Sequence, residues 1–133
     1  MHDPIPASSN GLALIVVDAG YERLHAAFMM AATVAALGRP VTVFGMGAGV
    51  AAFHSDWAGV PAFVEEEARR QQAGVAGLEE LRAAVVEMGA ELMVCDSGLR
   101  AMGLAETALL DGVKSLGLPS FLDHAGPCRQ LVF

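Results

Sequence analysis

The chain has no stretch of clustered basic residues, no apolar run long enough to cross a bilayer, only two cysteines and few aromatics. Each shortage excludes something. Eight Lys and Arg against 15 Asp and Glu leave a net charge of −7. Without clustered cations there is nothing to hold a phosphate backbone, so no nucleic-acid partner is expected. Between Ala26 and Phe53 the only charge is Arg39, but Gly38-Arg39-Pro40 cuts that segment into apolar runs of 13 and 14 residues. Runs that short belong to a buried core rather than a membrane. Met1 to Asn10 is polar and proline-bearing, with neither the basic nor the apolar region of a signal peptide. Cys95 and Cys128 are therefore expected as reduced thiols in the cytoplasm. No Gly-x-Ser-x-Gly, Walker A or Cys-x-x-Cys pattern occurs, so hydrolase, ATPase and dithiol redox chemistry lack support. His2, His25, His54 and His124 have no metal-ligand spacing with one another or with the cysteines. Neither a metal nor an organic cofactor is expected.

What the chain does have is apolar surface. It is 54% hydrophobic with a mean hydropathy of +0.48, high for a soluble monomer of 133 residues. With the membrane set aside, a subunit interface is left to absorb the excess. The length suits one domain, taken as residues 11–133 behind a loose tail at 1–10.

The pattern along the chain alternates strand and helix. Leu12–Val17 is continuously apolar, which indicates a strand covered on both faces. Tyr21–Leu37 reads as a helix stopped by Gly38, with Leu24, Phe28, Ala31 and Ala35 on one stripe. Its other side offers Met29, Met30 and Thr33 rather than charge, so a helix buried on two sides is expected. Val41–Phe44 is a second strand, and Gly49–Trp57 a helical turn and loop. Pro61 is expected at the first position of a helix whose Glu65–Arg69 and Glu66–Arg70 pairs form a solvated face. Leu78–Met88 is a further helix with Leu81, Val85 and Met88 inward. Glu91–Cys95, Val113–Leu116 and Gln130–Phe133 complete about five strands, with short helices at Ala105–Leu110 and Pro119–His124. This alternation predicts a three-layer α/β/α sandwich around a mainly parallel sheet.

One place stands out for chemistry. The strand Glu91–Cys95 runs directly into Asp96-Ser97-Gly98-Leu99-Arg100. A cysteine at a strand end that opens a helix faces unsatisfied N–H groups, where a thiolate can be held. Free cysteine is also among the most buried residue types, so a packed core thiol is the alternative. The helix opening at Ser97 and Gly98 and the cation of Arg100 would lower its pKa. Asp96 would raise it if its carboxylate faces the sulfur, or would turn away and cap the helix. Cys128 lies before the last strand and is taken as structural, at the other end of a parallel sheet from Cys95.

Gly47-Ala48-Gly49-Val50-Ala51-Ala52 fits a dinucleotide-type glycine pattern, but His54-Ser55-Asp56-Trp57 stops the following helix early. A tight turn is the simpler account. Asp18 and Gly49, beyond the first two strands, are candidates to line a pocket. His54 with Asp56 is either part of a pocket or a polar loop.

The run Val94-Cys95-Asp96-Ser97-Gly98-Leu99-Arg100-Ala101-Met102-Gly103 resembles the cysteine-bearing strand end of the DsrE/DsrF-like sulfur-relay family, which includes the TusD-type sulfurtransferase subunits. The opening βαβ, Gly49-Val50, Gly117-Leu118-Pro119-Ser120-Phe121-Leu122 and Arg129–Phe133 are similar to that family in order and spacing. The resemblance implies a three-layer α/β fold and assembly as a homotrimer or hexamer. It further implies that Cys95 carries sulfur as a persulfide, exchanged with a small TusA-like carrier protein or related DsrE/F-type subunits. Met102 stands where the family often has a second basic residue, and Asp96 adds an acid. The alternative from another class is a non-catalytic oligomeric assembly subunit with a small-ligand or nucleotide site at the Gly45–Gly49 turn.

Overall fold

The first strand, β1 (Leu12–Val16), is buried along its whole length, as its unbroken apolar run requires. It leads into α1 (Tyr21–Ala36), and Gly38 at a φ of +79° ends that helix. The chain continues through β2 (Val41–Gly45), a 3-10 segment at Gly47–Phe53, α2 (Phe63–Gln72), α3 (Leu78–Glu87) and β3 (Glu91–Cys95). It closes with α4 (Asp96–Ala101), β4 (Lys114–Leu116), α5 (Leu118–Ala125) and β5 (Arg129–Val132). This computed structural model describes residues 10–133. The tail expected at 1–10 lies outside the described residues except for Asn10.

The strands form one sheet in the order β4-β3-β2-β1-β5, and every pairing is parallel. Side-chain alternation sorts the sheet into two faces. Leu12, Leu14, Val16, Val43, Leu92 and Val94 point to a core that α1, α3 and the 3-10 segment cover. Ala13, Ile15, Phe44, Met93 and Cys95 point the other way, where only Phe121 and Ala125 of α5 complete the buried cluster. Phe44 and Phe121 stack there with ring centroids 4.1 Å apart. The predicted three-layer, mainly parallel sandwich is what forms.

Several local expectations shift. Pro61 is not at a helix start: Ala62 takes a left-handed φ of +55° as the cap residue, and α2 begins only at Phe63. In α3 the inward stripe is Leu78, Leu81 and Val85, whereas Met88 is 43% exposed; it stands past the helix end, where the 3.6-residue period no longer applies. In α2, Arg69 pairs with Glu66 rather than Glu65, at 3.5 Å, and Arg70 bonds both Glu66 and Glu22 of α1. Met29 and Met30 on the outer side of α1 are exposed, so within one chain that helix is buried on one side only.

Candidate functional site

Cys95 is the last residue of β3 and, at φ −74° and ψ 125°, the cap residue of α4. No loop separates the two elements, because Asp96 is already the first helical residue. Strand alternation sends the Cys95 side chain to the α5 face, where it is 6% exposed among Phe44, Met93 and Phe121. Half-buried Met46, Leu116 and Leu118 pack against the same cluster. The cap position resolves the Asp96 alternative: Asp96 does not cap the helix from outside. Its Oδ1 accepts the Ser97 N–H at 2.7 Å, which places a carboxylate at the positive end of a short helix.

Gly98 explains how α4 seats. A Cβ at Gly98 would lie 3.0 Å from the Gly47 amide nitrogen and from Val50 Cγ1, and 3.7 Å from Cys95 Cβ. A side chain there would press on the Gly47 backbone, so glycine lets the first turn of α4 lie close against the turn after β2. Gly49 does the same one strand over, since a Cβ there would collide with the Val16 carbonyl. The glycine pattern is thus spent on packing against β1, and a 3-10 segment follows it, not the full helix a dinucleotide site requires. Arg100 is exposed and its Nη2 lies 3.5 Å from Ser97 Oγ, one turn back along α4. The structure therefore brings Ser97 and Arg100 together beside the junction; the partner it gives Arg100 is the hydroxyl, not the sulfur.

The other candidates lie apart. Asp18 is exposed, accepts the Gly20 N–H at 2.5 Å and sits 3.8 Å from Arg23 Nε. It borders a surface depression with Tyr21, Pro61 and Arg69, and Gly49 does not share it. Cys128 precedes β5 and is half-buried at the end of the sheet opposite Cys95, as its position before a parallel strand predicts. It nevertheless packs on the same face as Cys95. Neither cysteine is in a disulfide.

Sequence reasoning passed over Arg82 and Trp57. Arg82 is 2% exposed and donates from Nη1 to the carbonyls of Ala52 at 3.1 Å and His54 at 2.7 Å. Its guanidinium lies 3.8 Å from the centre of the Trp57 ring, and burial pulls its pKa below the usual arginine value. Trp57 holds a φ of +64°, a costly region for a bulky residue. It is retained by the Arg82 contact, by stacking on Phe63 at 5.1 Å and by an indole N–H bond to Glu79. The signal was present in α3: Arg82 is four residues after Leu78 and three before Val85, hence on the inward stripe.

Residues 12–133 match the model of the DsrE/DsrF-like family. The chain belongs to this family, which is associated with sulfur relay. Two solved structures share the fold. The YchN protein from E. coli superposes with a TM-score of 0.71 at 15% identity, covering 92% of this chain and 98% of that one. A protein of unknown function, MTH1491 from Methanobacterium thermoautotrophicum, gives a TM-score of 0.57 at 14% identity, with the same coverages of 92% and 98%. No curated protein sequence matches the chain. Among the described residues no helix is long and apolar enough to cross a membrane.

Proposed function

We propose that this protein is a cytoplasmic, TusD-type sulfur-relay subunit that carries sulfane sulfur as a persulfide on Cys95. The observation that carries the proposal is the position of Cys95 in a DsrE/DsrF-like chain, at the carboxyl end of β3 where strand passes directly into helix. The Cys95 thiolate attacks the outer sulfur of a donor persulfide. A bond forms from Cys95 Sγ to that sulfur as the donor's S–S bond breaks, and the donor leaves as a thiolate. An acceptor thiolate then attacks the same outer sulfur, which restores the Cys95 thiolate. No net oxidation occurs and no cofactor is consumed. The Ser97 N–H is taken by Asp96, so the Gly98 N–H and the Arg100 cation are the candidates for the positive surroundings a thiolate needs. At 6% exposure Cys95 is sheltered from water, and exchange requires the apolar cluster around it on the α5 face to open. A small TusA-like carrier is the proposed partner.

The test is mass spectrometry of the purified protein after incubation with polysulfide or a persulfidated carrier. A sulfur adduct mapping to Cys95, and absent from Cys95→Ser, is the expected result; adducts confined to Cys128, or none, overturn the proposal. Exposed Met29 and Met30 on α1, with the high mean hydropathy, support a subunit interface, and a homotrimer or hexamer is the proposed assembly. A monomer mass by light scattering at micromolar concentration would refute that assembly.

A further inference from the structure

On the face of the sheet away from the Cys95 thiol, a groove of about 180 Å³ opens at the carboxyl ends of β1, β2 and β3. Open α/β sheets hold ligands in such positions. Its walls are Ala19, Ala48, Val50, Ala51, Met102 and Leu104, with His54 as the one polar side chain. The ring of His54 is set by Asp56, whose Oδ1 lies 2.6 Å from Nδ1. The Asp56 N–H donates to the same nitrogen at 3.1 Å, so Asp56 holds the Nδ1 edge of the ring. Nε2 is left with no partner among the described residues.

The rim is fixed rather than loose. The His54 carbonyl accepts from buried Arg82, His54 bridges to Leu109, and the Ser55 N–H donates to the Ala108 carbonyl at 2.9 Å. The left-handed Trp57 ends this clamped stretch, just before Gly59, which also borders the groove. A strained residue held by several independent contacts marks a segment whose shape is over-determined.

We infer that this groove is a binding site for a small, largely apolar molecule that makes one hydrogen bond with His54 Nε2. The class is a compact alcohol or phenol, whose hydroxyl can donate or accept, since a cavity near 150 Å³ accommodates benzene and Nε2 adds a single directional polar partner. The site is independent of sulfur transfer by Cys95.

Phenol and benzene serve as matched probes, followed by NMR chemical shifts on the full chain. Phenol should give saturable shifts at Ala48, Val50, Ala51 and Met102, with benzene about fivefold weaker, the worth of one neutral hydrogen bond. His54→Phe should bring phenol down to the affinity of benzene. Ala48→Leu, at a half-buried position outside the core, should fill the groove and weaken both probes at least about tenfold. Equal affinity for phenol and benzene overturns the role of His54. No saturable shifts, or shifts that survive Ala48→Leu, overturn the site.

Discussion

The two faces of the sheet are built by different means. On the α1 and α3 face the core is thick, and a buried cation organises the loop beyond it: Arg82 gathers carbonyls at 52 and 54 and lies over Trp57. On the α5 face a single eight-residue helix covers the sheet, held chiefly by the Phe44–Phe121 stack. The proposed sulfur carrier sits under the thin cover and the small-molecule groove beside the thick one. Packing depth, more than polarity, separates the two. The thin face can open around a thiol without disturbing the buried charge, and the thick face can keep a groove preformed.

The chain offers one reporter for each face, since Trp57 is the only tryptophan and Cys95 faces α5. Phe121→Ala should have the largest effect, a loss of about 4 kcal/mol, read by urea unfolding. It should also accelerate modification of Cys95 by a thiol reagent while Trp57 fluorescence stays unchanged, with Cys128→Ser as background so that one thiol is counted. Arg82→Met should cost about 3 kcal/mol by leaving buried carbonyls unpaired. Its signature is the reverse: an altered Trp57 emission and an unchanged Cys95 rate. If either substitution moves both reporters, the two faces are one cooperative unit and the contrast fails.

The smallest effect comes from Tyr21, whose hydroxyl donates to Glu67 while Glu67 also accepts the Leu78 N–H at 2.5 Å. Burial first, and then the bond to Glu67, push the Tyr21 pKa well above the ordinary tyrosine value. A raised pKa in the folded state means that its stabilisation is complete below the unfolded value near 10 and is lost as pH rises beyond it. Tyr21→Phe should cost about 1 kcal/mol at neutral pH and flatten the fall in stability above about pH 10. Denaturant titrations at pH 8 and pH 11 measure both.

Much of this was legible in the residues. The unbroken apolar runs at Leu12–Val16 and Leu92–Cys95 mark doubly covered strands, and glycine at position 38 marks a helix end. The placement of Cys95 and Cys128 at opposite ends follows from strand order alone. What was hidden depends on tertiary context. An arginine on an amphipathic helix looks like a solvated charge until something across the fold offers it carbonyls, and those of Ala52 and His54 lie about thirty residues away in sequence. Left-handed Trp57 and Ala62 carry no local signal, since turn chemistry favours glycine and asparagine there. Trp57 holds because its contacts with Arg82, Phe63 and Glu79 outweigh the local preference.

The absence of any loop between β3 and α4 has a kinetic consequence. Cys95 is a fixed post rather than a swinging arm: its backbone is tied into a sheet on one side and a helix on the other. A persulfide formed there cannot travel from one docking place to a second. Donor and acceptor must take turns at the same opening, so transfer should follow double-displacement kinetics, with parallel reciprocal plots and mutual competition between the two carriers.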